Sequence, residues 1–399
     1  MAAEDIETKP PSAKAERWKC EACGAEQHYD AKTRLLRCDF CGATRPVPAG
    51  AGAIVEHDLF AGLELLPQGL GTANDKVTRC SECGATVHFS GDRTAAQCAF
   101  CGSSSVLVQT DNRKLLRPES LVPFAVDKQT SRDAFLRWLK SLWFRPSDLQ
   151  RLARVNELAG VYVPFWTYDA HVDSSWSADA GYHYYVTEEY EAQENGQTVL
   201  KTREIRHTRW EDAWGQRADD YDDVLVCASV GLPQGLADSL RSFDTSQLQP
   251  YTPGYLAGWS AEEYAVDLRA GFVTAQAKMD ADQQQRCSGD VPGDTQRSLS
   301  VQSTYSNLTF KHVLLPIWIA AYRYDKKVFR FLVNGQTGEV QGKAPYSAWK
   351  ILGAIAATIT LLAILVVVFG GGGRKEPPLR QTQRSPTLLP PRQGAVSRV

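Results

Sequence analysis

Eight of the ten cysteines fall into four Cys-x-x-Cys pairs: Cys20 and Cys23, Cys38 and Cys41, Cys80 and Cys83, Cys98 and Cys101. A knuckle of this spacing presents both sulfurs to one point. Two knuckles on adjacent hairpins supply the tetrahedron of thiolates that zinc prefers. The two sets repeat each other: Cys-x-x-Cys-Gly-Ala, a histidine five residues after the second cysteine (His28, His88), then Cys-x-Phe-Cys-Gly. In each, fourteen residues separate the inner cysteines. The glycine that follows every pair, Gly24, Gly42, Gly84 and Gly102, suits the positive φ of such a tight turn. The spacing therefore predicts two structural zinc ions, each closed by four thiolates, with no position left open for a substrate. His28 and His88 then read as packing or hydrogen-bonding residues of the hairpins. Cys227 and Cys287 sit in unlike contexts and read as buried or bystander thiols.

Other chemistry is thinly represented. There is no Gly-x-x-x-x-Gly-Lys-Ser/Thr loop, and the glycine run 370–373 lies just past a long apolar stretch. No constellation supports catalysis, so the chain does not read as an enzyme. The acidic cluster Asp219, Asp220, Asp222 and Asp223 reads as a solvated loop, as do Glu188, Glu189 and Glu191. Trp138, Trp143, Trp166, Trp176, Trp210, Trp214 and Trp318 read as core and sheet packing rather than a ligand groove. With 44 basic and 46 acidic residues, bulk charge selects no partner. Each ribbon region carries a net charge of +1, from six bases and five acids in the first and three bases and two acids in the second. Neither is a footprint for nucleic acid.

The elements that must hold these residues follow from composition and period. At 399 residues the chain is long enough for more than one folding unit. Residues 1–17 read as a disordered lead, 18–45 as ribbon 1, 46–75 as a loose linker with a helical turn or two, and 76–108 as ribbon 2. Residues 115–346 form an aromatic-rich α+β body. In it a helix is expected after Thr130, with Asp133 completing a capping box and Phe135, Leu136, Leu139, Leu142 and Trp143 on one face. Pro146 ends it, and a second helix is expected from Ser147 to Gly160. Strands follow at 161–166, 181–190, 198–207, 313–324 and 328–333, with Asn195-Gly196 as a hairpin turn. Val163-Pro164-Phe165-Trp166 and Leu315-Pro316-Ile317-Trp318 echo each other, and their prolines suggest two equivalent edge strands. Residues 351–369 are apolar over roughly 28 Å of helix, enough to span a bilayer, and 370–399 read as a disordered basic tail.

Three stretches, Arg117-Pro118-Glu119-Ser120-Leu121, the run from Gly160 to His171, and the run from Lys311 to Trp318 leading to Phe331 to Gly338, carry a resemblance. With the ribbons, they resemble a family of bacterial membrane proteins with N-terminal TFIIB-like zinc ribbons. Its members are often labelled primosomal-protein-like or replication-factor-Y-like helicases. Motor motifs are missing from this chain, so the helicase label does not carry over. The resemblance implies an adaptor that recruits protein partners at a membrane, including proteins of the phage-shock and stomatin-like membrane-stress kind.

The expected function is thus a zinc-ribbon scaffold anchored in the membrane, the alternative being a membrane-tethered nucleic-acid-binding protein. Arg374, Lys375, Arg380 and Arg384 after the span would place the tail in the cytoplasm by the positive-inside rule. Eight metal-spaced thiols and the lack of an apolar leader near Met1 favour the reverse, with ribbons and body in the cytoplasm of a bacterial inner membrane. The second orientation is the one expected here.

Overall fold

The computed structural model describes residues 18–50, 52–65, 75–89, 98–101, 103, 106–111, 116, 118–143, 145, 158–194, 197–240, 243–324, 327–343 and 345–370. The expected lead, all but the last three residues of the helix expected from Ser147 to Gly160, and the tail beyond Gly370 lie outside these residues; Ala159 and Gly160 are in a strand and not at a helix end. The chain divides into two compact units, Met1–Pro345 and Tyr346–Val399.

The first unit opens with a small three-stranded sheet, β1 (Gln27–Asp30), β2 (Leu35–Cys38) and β3 (Thr44–Arg45). A short strand β4 (His57–Asp58) and helix α1 (Leu59–Leu65) follow, then β5 (Asp75–Cys80), β6 (Thr86–Phe89) and β7 (Val106–Asp111). The body comprises β8 (Ser120–Leu121), α2 (Lys128–Ser141), β9 (Ala159–Glu194), β10 (Gln197–Cys227), α3 (Gln234–Ala237), β11 (Gln249–Pro250), β12 (Ser260–Glu262), α4 (Leu268–Asp290), β13 (Thr295–Tyr324), β14 (Lys327–Asn334) and β15 (Val340–Gly342). The mixed α+β character expected of the body is what the structure has. The span 46–75 is not a loose linker over its described part. β4 pairs with β13, Leu59 is fully buried, and His57 Nε2 meets a Glu119 carboxylate oxygen at 2.9 Å. A short apolar helix costs less when its face is taken up by the core than when left in water.

β9 and β13 are central neighbours, antiparallel over twenty residues, with Val163 opposite Leu315. The two echoed motifs therefore face each other and are not edge strands. Each proline lies where one flanking strand stops and the next begins: β12 covers Val161 and Tyr162 before β10 takes over at Phe165, and β8 covers Val313 and Leu314 before β14 takes over at Ile317. A missing N–H harms no ladder at such a gap. The proline carbonyls are still used, Pro164 accepting from Ala228 N–H at 2.9 Å and Pro316 from Gly335 N–H at 2.8 Å.

The likeness extends further. Phe124-Ala125-Val126-Asp127 and Tyr264-Ala265-Val266-Asp267 lead into α2 and α4, and Asp127 and Asp267 cap them by accepting from Thr130 N–H at 2.7 Å and Ala270 N–H at 2.8 Å. The cap of α2 is thus Asp127, one turn before the expected Thr130. Ala125 and Val126 donate to the Gly335 carbonyl, and Ala265 and Val266 to that of Ala228. Strand, Ala-Val-Asp cap, helix, Pro-containing strand and return strand occur twice, related by a pseudo-two-fold through the Val163–Leu315 pair.

The long strands bend at bulges in which one residue takes a left-handed backbone: Asp223 (φ 52°) in β10, Ser298 (57°) and Asn307 (51°) in β13. The acidic cluster accordingly lies inside β10 rather than in a loop. The second unit contains helix α5 (Ala348–Gly370), the one helix among the described residues long and apolar enough to cross a membrane, with mean hydropathy 2.0 over residues 348–365.

Candidate metal centres

The eight predicted cysteines gather into two groups of four, the sulfurs of each group lying within 4.8 Å of one another. Cys20 and Cys41 are 3.5 Å apart, as are Cys23 and Cys38; in the second group Cys80–Cys101 and Cys83–Cys98 are 3.6 Å apart. Sulfurs 2.3 Å from a tetrahedral zinc stand about 3.8 Å from each other, so these spacings fit one ion per group. They are far longer than a disulfide bond, and all eight thiols are free.

Backbone hydrogen bonds build each knuckle. Cys20 N–H donates to Ala25, and Gly24 N–H returns to the Cys20 carbonyl; Cys38 with Ala43 and Gly42, and Cys80 with Ala85 and Gly84, repeat the pattern. Gly24, Gly42 and Gly84 take φ of 76°, 75° and 77°, the left-handed turn their type predicts. Gly102 lies outside the described residues. N–H groups left inside each turn point at sulfur. The N–H of Cys41, followed by that of Phe40, draws the Cys38 thiol down to about 7. A hydrogen bond from the Cys83 thiol leads in drawing Cys98 down to about 5, with the N–H groups of Cys101 and Phe100 adding to it. Charge thus settles first on one thiol of each site, while Cys23 and Cys101 are pushed up to about 12 and about 11 and need a cation to give up their protons.

The two histidines of the repeat differ in their surroundings. His28 Nδ1 lies 3.2 Å from an Asp39 carboxylate oxygen, and His88 pairs with Ala261 across β6 and β12. The two metal groups gather through cysteine alone. The phenylalanines of the second knuckles diverge most: Phe40 is 85% exposed, whereas Phe100 is fully buried. Phe100 packs where a side chain on Gly231 would collide with its ring, and its carbonyl accepts from Arg330 Nε at 2.5 Å. Ribbon 2 is also joined to the main sheet, β6 pairing with β12 and Glu263 N–H donating to the Thr86 carbonyl. Ribbon 1 keeps its own sheet and touches the body through Tyr29, whose hydroxyl donates to the Phe124 carbonyl at 3.0 Å and whose N–H donates to Ala257.

Beneath ribbon 2 lies Glu262, 3% exposed, one carboxylate oxygen accepting from the Ser229 hydroxyl at 2.8 Å and the other without a hydrogen-bond partner. Burial pushes its carboxyl well above the usual range. Sequence patterning gave no sign of this residue, since Glu262-Glu263 reads as surface.

A third group, Glu56, Asp169 and Asp222, has carboxylates close enough for a cation. The Lys311 ammonium already serves there, 2.9 Å from Glu56, 2.8 Å from Asp223 and 4.0 Å from Asp169. The rest of the acidic cluster is likewise engaged: Asp219 accepts from Arg217, Arg286 and Gln283, and Asp220 meets His171 Nδ1 at 2.6 Å. Cys227 and Cys287 are both fully buried, and desolvation pushes the Cys227 thiol up to about 12. Trp166, Trp176 and Trp318 are buried, while Trp143 and Trp214 are exposed, so the tryptophans are not all core.

The chain is 26% identical over 338 residues to the uncharacterized protein YdjG of Bacillus subtilis (strain 168), covering 84% of this chain and 91% of that one. No protein-family profile and no solved structure matches it.

Proposed function

We propose that the chain is a zinc-ribbon scaffold, held in a membrane by α5, that docks protein partners on the cytoplasmic side. The carrying observation is the contrast between Phe40 and Phe100. One knuckle uses its phenylalanine to seat ribbon 2 on the body, and its counterpart leaves the same side chain in water on a rigid metal-held loop. A large apolar side chain at the tip of a preorganised turn is the kind of anchor that protein interfaces centre on. The closed thiolate sets support structural zinc, which small sheets with few apolar residues need in order to fold. Tyr346 and Trp349, both exposed, precede the apolar run as interfacial aromatics do. Nucleic-acid binding draws less support, because Arg37 and Arg45 of ribbon 1 are paired with Asp30 and Glu21.

The test is co-purification of the full chain in mild detergent, comparing the wild type with Phe40→Asp. The reading expects a defined set of proteins to be lost from the variant while zinc content and thermal stability stay as in the wild type. The same set retained at the same yield refutes it.

A further inference from the structure

The two groups of cysteines share their sulfur spacing but not their surroundings. In ribbon 1, Cys23 and Cys41 are exposed, one from each knuckle; in ribbon 2, Cys80, Cys98 and Cys101 are buried and Cys83 is half-buried. The space around the knuckles repeats the contrast. A side chain built on Gly24 or Gly42 would meet no atom within 4 Å, whereas one on Gly84 would touch Val230 at 3.4 Å and one on Gly231 would collide with Ala85 and the Phe100 ring. Ribbon 1 thus turns both knuckles to solvent, and ribbon 2 turns its own into the body.

Exposure matters because of what a metal does to sulfur. Cysteine thiols with ordinary affinity for protons are mostly protonated at neutral pH, but a cation that binds four of them holds each as the thiolate, the form that attacks an electrophile. Zinc has no redox chemistry of its own. An oxidant that reaches such a sulfur therefore takes its electrons from cysteine. In ribbon 1 each exposed sulfur also has a second one in contact across the opposite knuckle, Cys23 lying 3.5 Å from Cys38 and Cys41 lying 3.5 Å from Cys20.

We propose that ribbon 1 is a site of reversible oxidative modification: a small hydroperoxide, hydrogen peroxide being the simplest, converts its four thiolates into the cross-knuckle disulfides Cys23–Cys38 and Cys20–Cys41 and frees its zinc, while ribbon 2 keeps its metal. The Cys23 sulfur attacks one peroxide oxygen; an S–O bond forms, the O–O bond breaks, and hydroxide leaves. The Cys38 sulfur then attacks the sulfenic acid left on Cys23, forming the S–S bond and expelling a second hydroxide. Two electrons pass from two thiolates to one peroxide, and two protons from solvent turn both hydroxides into water. A second peroxide does the same at Cys41 and Cys20. Each bond draws its sulfurs in from 3.5 Å to about 2.05 Å, so ribbon 1 stays closed after its ion has gone. This site rests on the zinc reading and not on docking through Phe40.

The experiment uses the zinc-loaded full chain in detergent, freed of reductant. Metal is counted first. Hydrogen peroxide is then added, release is followed with a chromogenic zinc chelator, and disulfides are mapped by mass spectrometry after the remaining thiols are alkylated. Wild type is expected to lose one ion at least about tenfold faster than the other, with Cys23–Cys38 and Cys20–Cys41 as the linked pairs, and to regain the ion after a dithiol reductant and fresh zinc. Cys38→Ser, left with the ribbon 2 ion, should resist the same dose, and Cys98→Ser, left with the ribbon 1 ion, should lose it. A chain that binds no zinc at the outset overturns the zinc reading and this site together. Both ions held at the start but released at equal rates, ribbon 2 emptied first, or disulfides confined within single knuckles overturn the oxidation site alone.

Discussion

Trp318 donates its indole N–H to the Val126 carbonyl at 2.9 Å, and Trp166, its counterpart in the echoed motif, donates to Val266 at the same distance. Each carbonyl belongs to the residue just before a capping aspartate. The strand of one half therefore fastens the helix entry of the other, and the two halves of the body are clasped crosswise.

From the clasp we expect Trp318→Phe to destabilise the body by about 3 kcal/mol, combining a stranded buried carbonyl with the volume lost beside Phe124. Denaturant unfolding of the full chain, followed by tryptophan-independent circular dichroism, measures it. A change below about 1 kcal/mol would count against the clasp.

Metal analysis separates the ribbons. Cys38→Ser and Cys98→Ser should each lower the zinc content from about two per chain to about one. Their effects on thermal unfolding should differ. Losing the second site frees Phe100 from its seat and loosens β6 on β12, whereas losing the first leaves the main sheet intact. Equal shifts in melting temperature would argue against the asymmetry.

Glu262 makes a prediction about pH. Its folded pKa is raised, so its contribution to stability is full below the unfolded value near 4.3 and declines as pH rises toward the folded value. Glu262→Gln keeps an acceptor for Ser229 and cannot ionise. Relative to the wild type, the variant should gain stability between pH 6 and pH 8, by at most about 1.4 kcal/mol per pH unit. Parallel stability curves across that range would show that the carboxyl is not held neutral.

Orientation is decided by thiol accessibility. With Ser397→Cys or Ser12→Cys introduced singly, a membrane-impermeant maleimide added to intact cells should label the first and spare the second. The reverse pattern would place the ribbons outside.

The cysteine pattern and the apolar C-terminal run were legible because each depends on local spacing alone. Asn195-Gly196 likewise placed the hairpin, and Gln197 does face Glu194. The length of β9 was not legible: Ala178, Ala180 and Gly181 lie in a stretch of small and polar residues where alternation fades. At Gly181 the missing side chain leaves room for Thr295 and Trp210 on the two neighbouring strands. α4 itself went unforeseen for the complementary reason. Its buried face is Gly271, Ala275, Met279, Gln283 and Cys287, too small and polar for a hydrophobic period, and Gly271 is required where Tyr168 crosses it. Ala-Val-Asp occurs before both helices, but three residues carry little signal without the pairing that relates them.

The strand pairings also set an order of events during synthesis. Ser260 must reach both Phe89 and Val161, and Ser120 must wait for Val313. Ribbon 1 can close on metal as soon as its own residues have emerged, whereas ribbon 2 and the first half of the body remain incomplete until most of the second half has been made. During that interval β9 has an open edge and Trp166 no acceptor. A chain interrupted shortly after Cys227 would therefore be a sticky half-sheet rather than a smaller folded protein, and a natural target for chaperones and proteases.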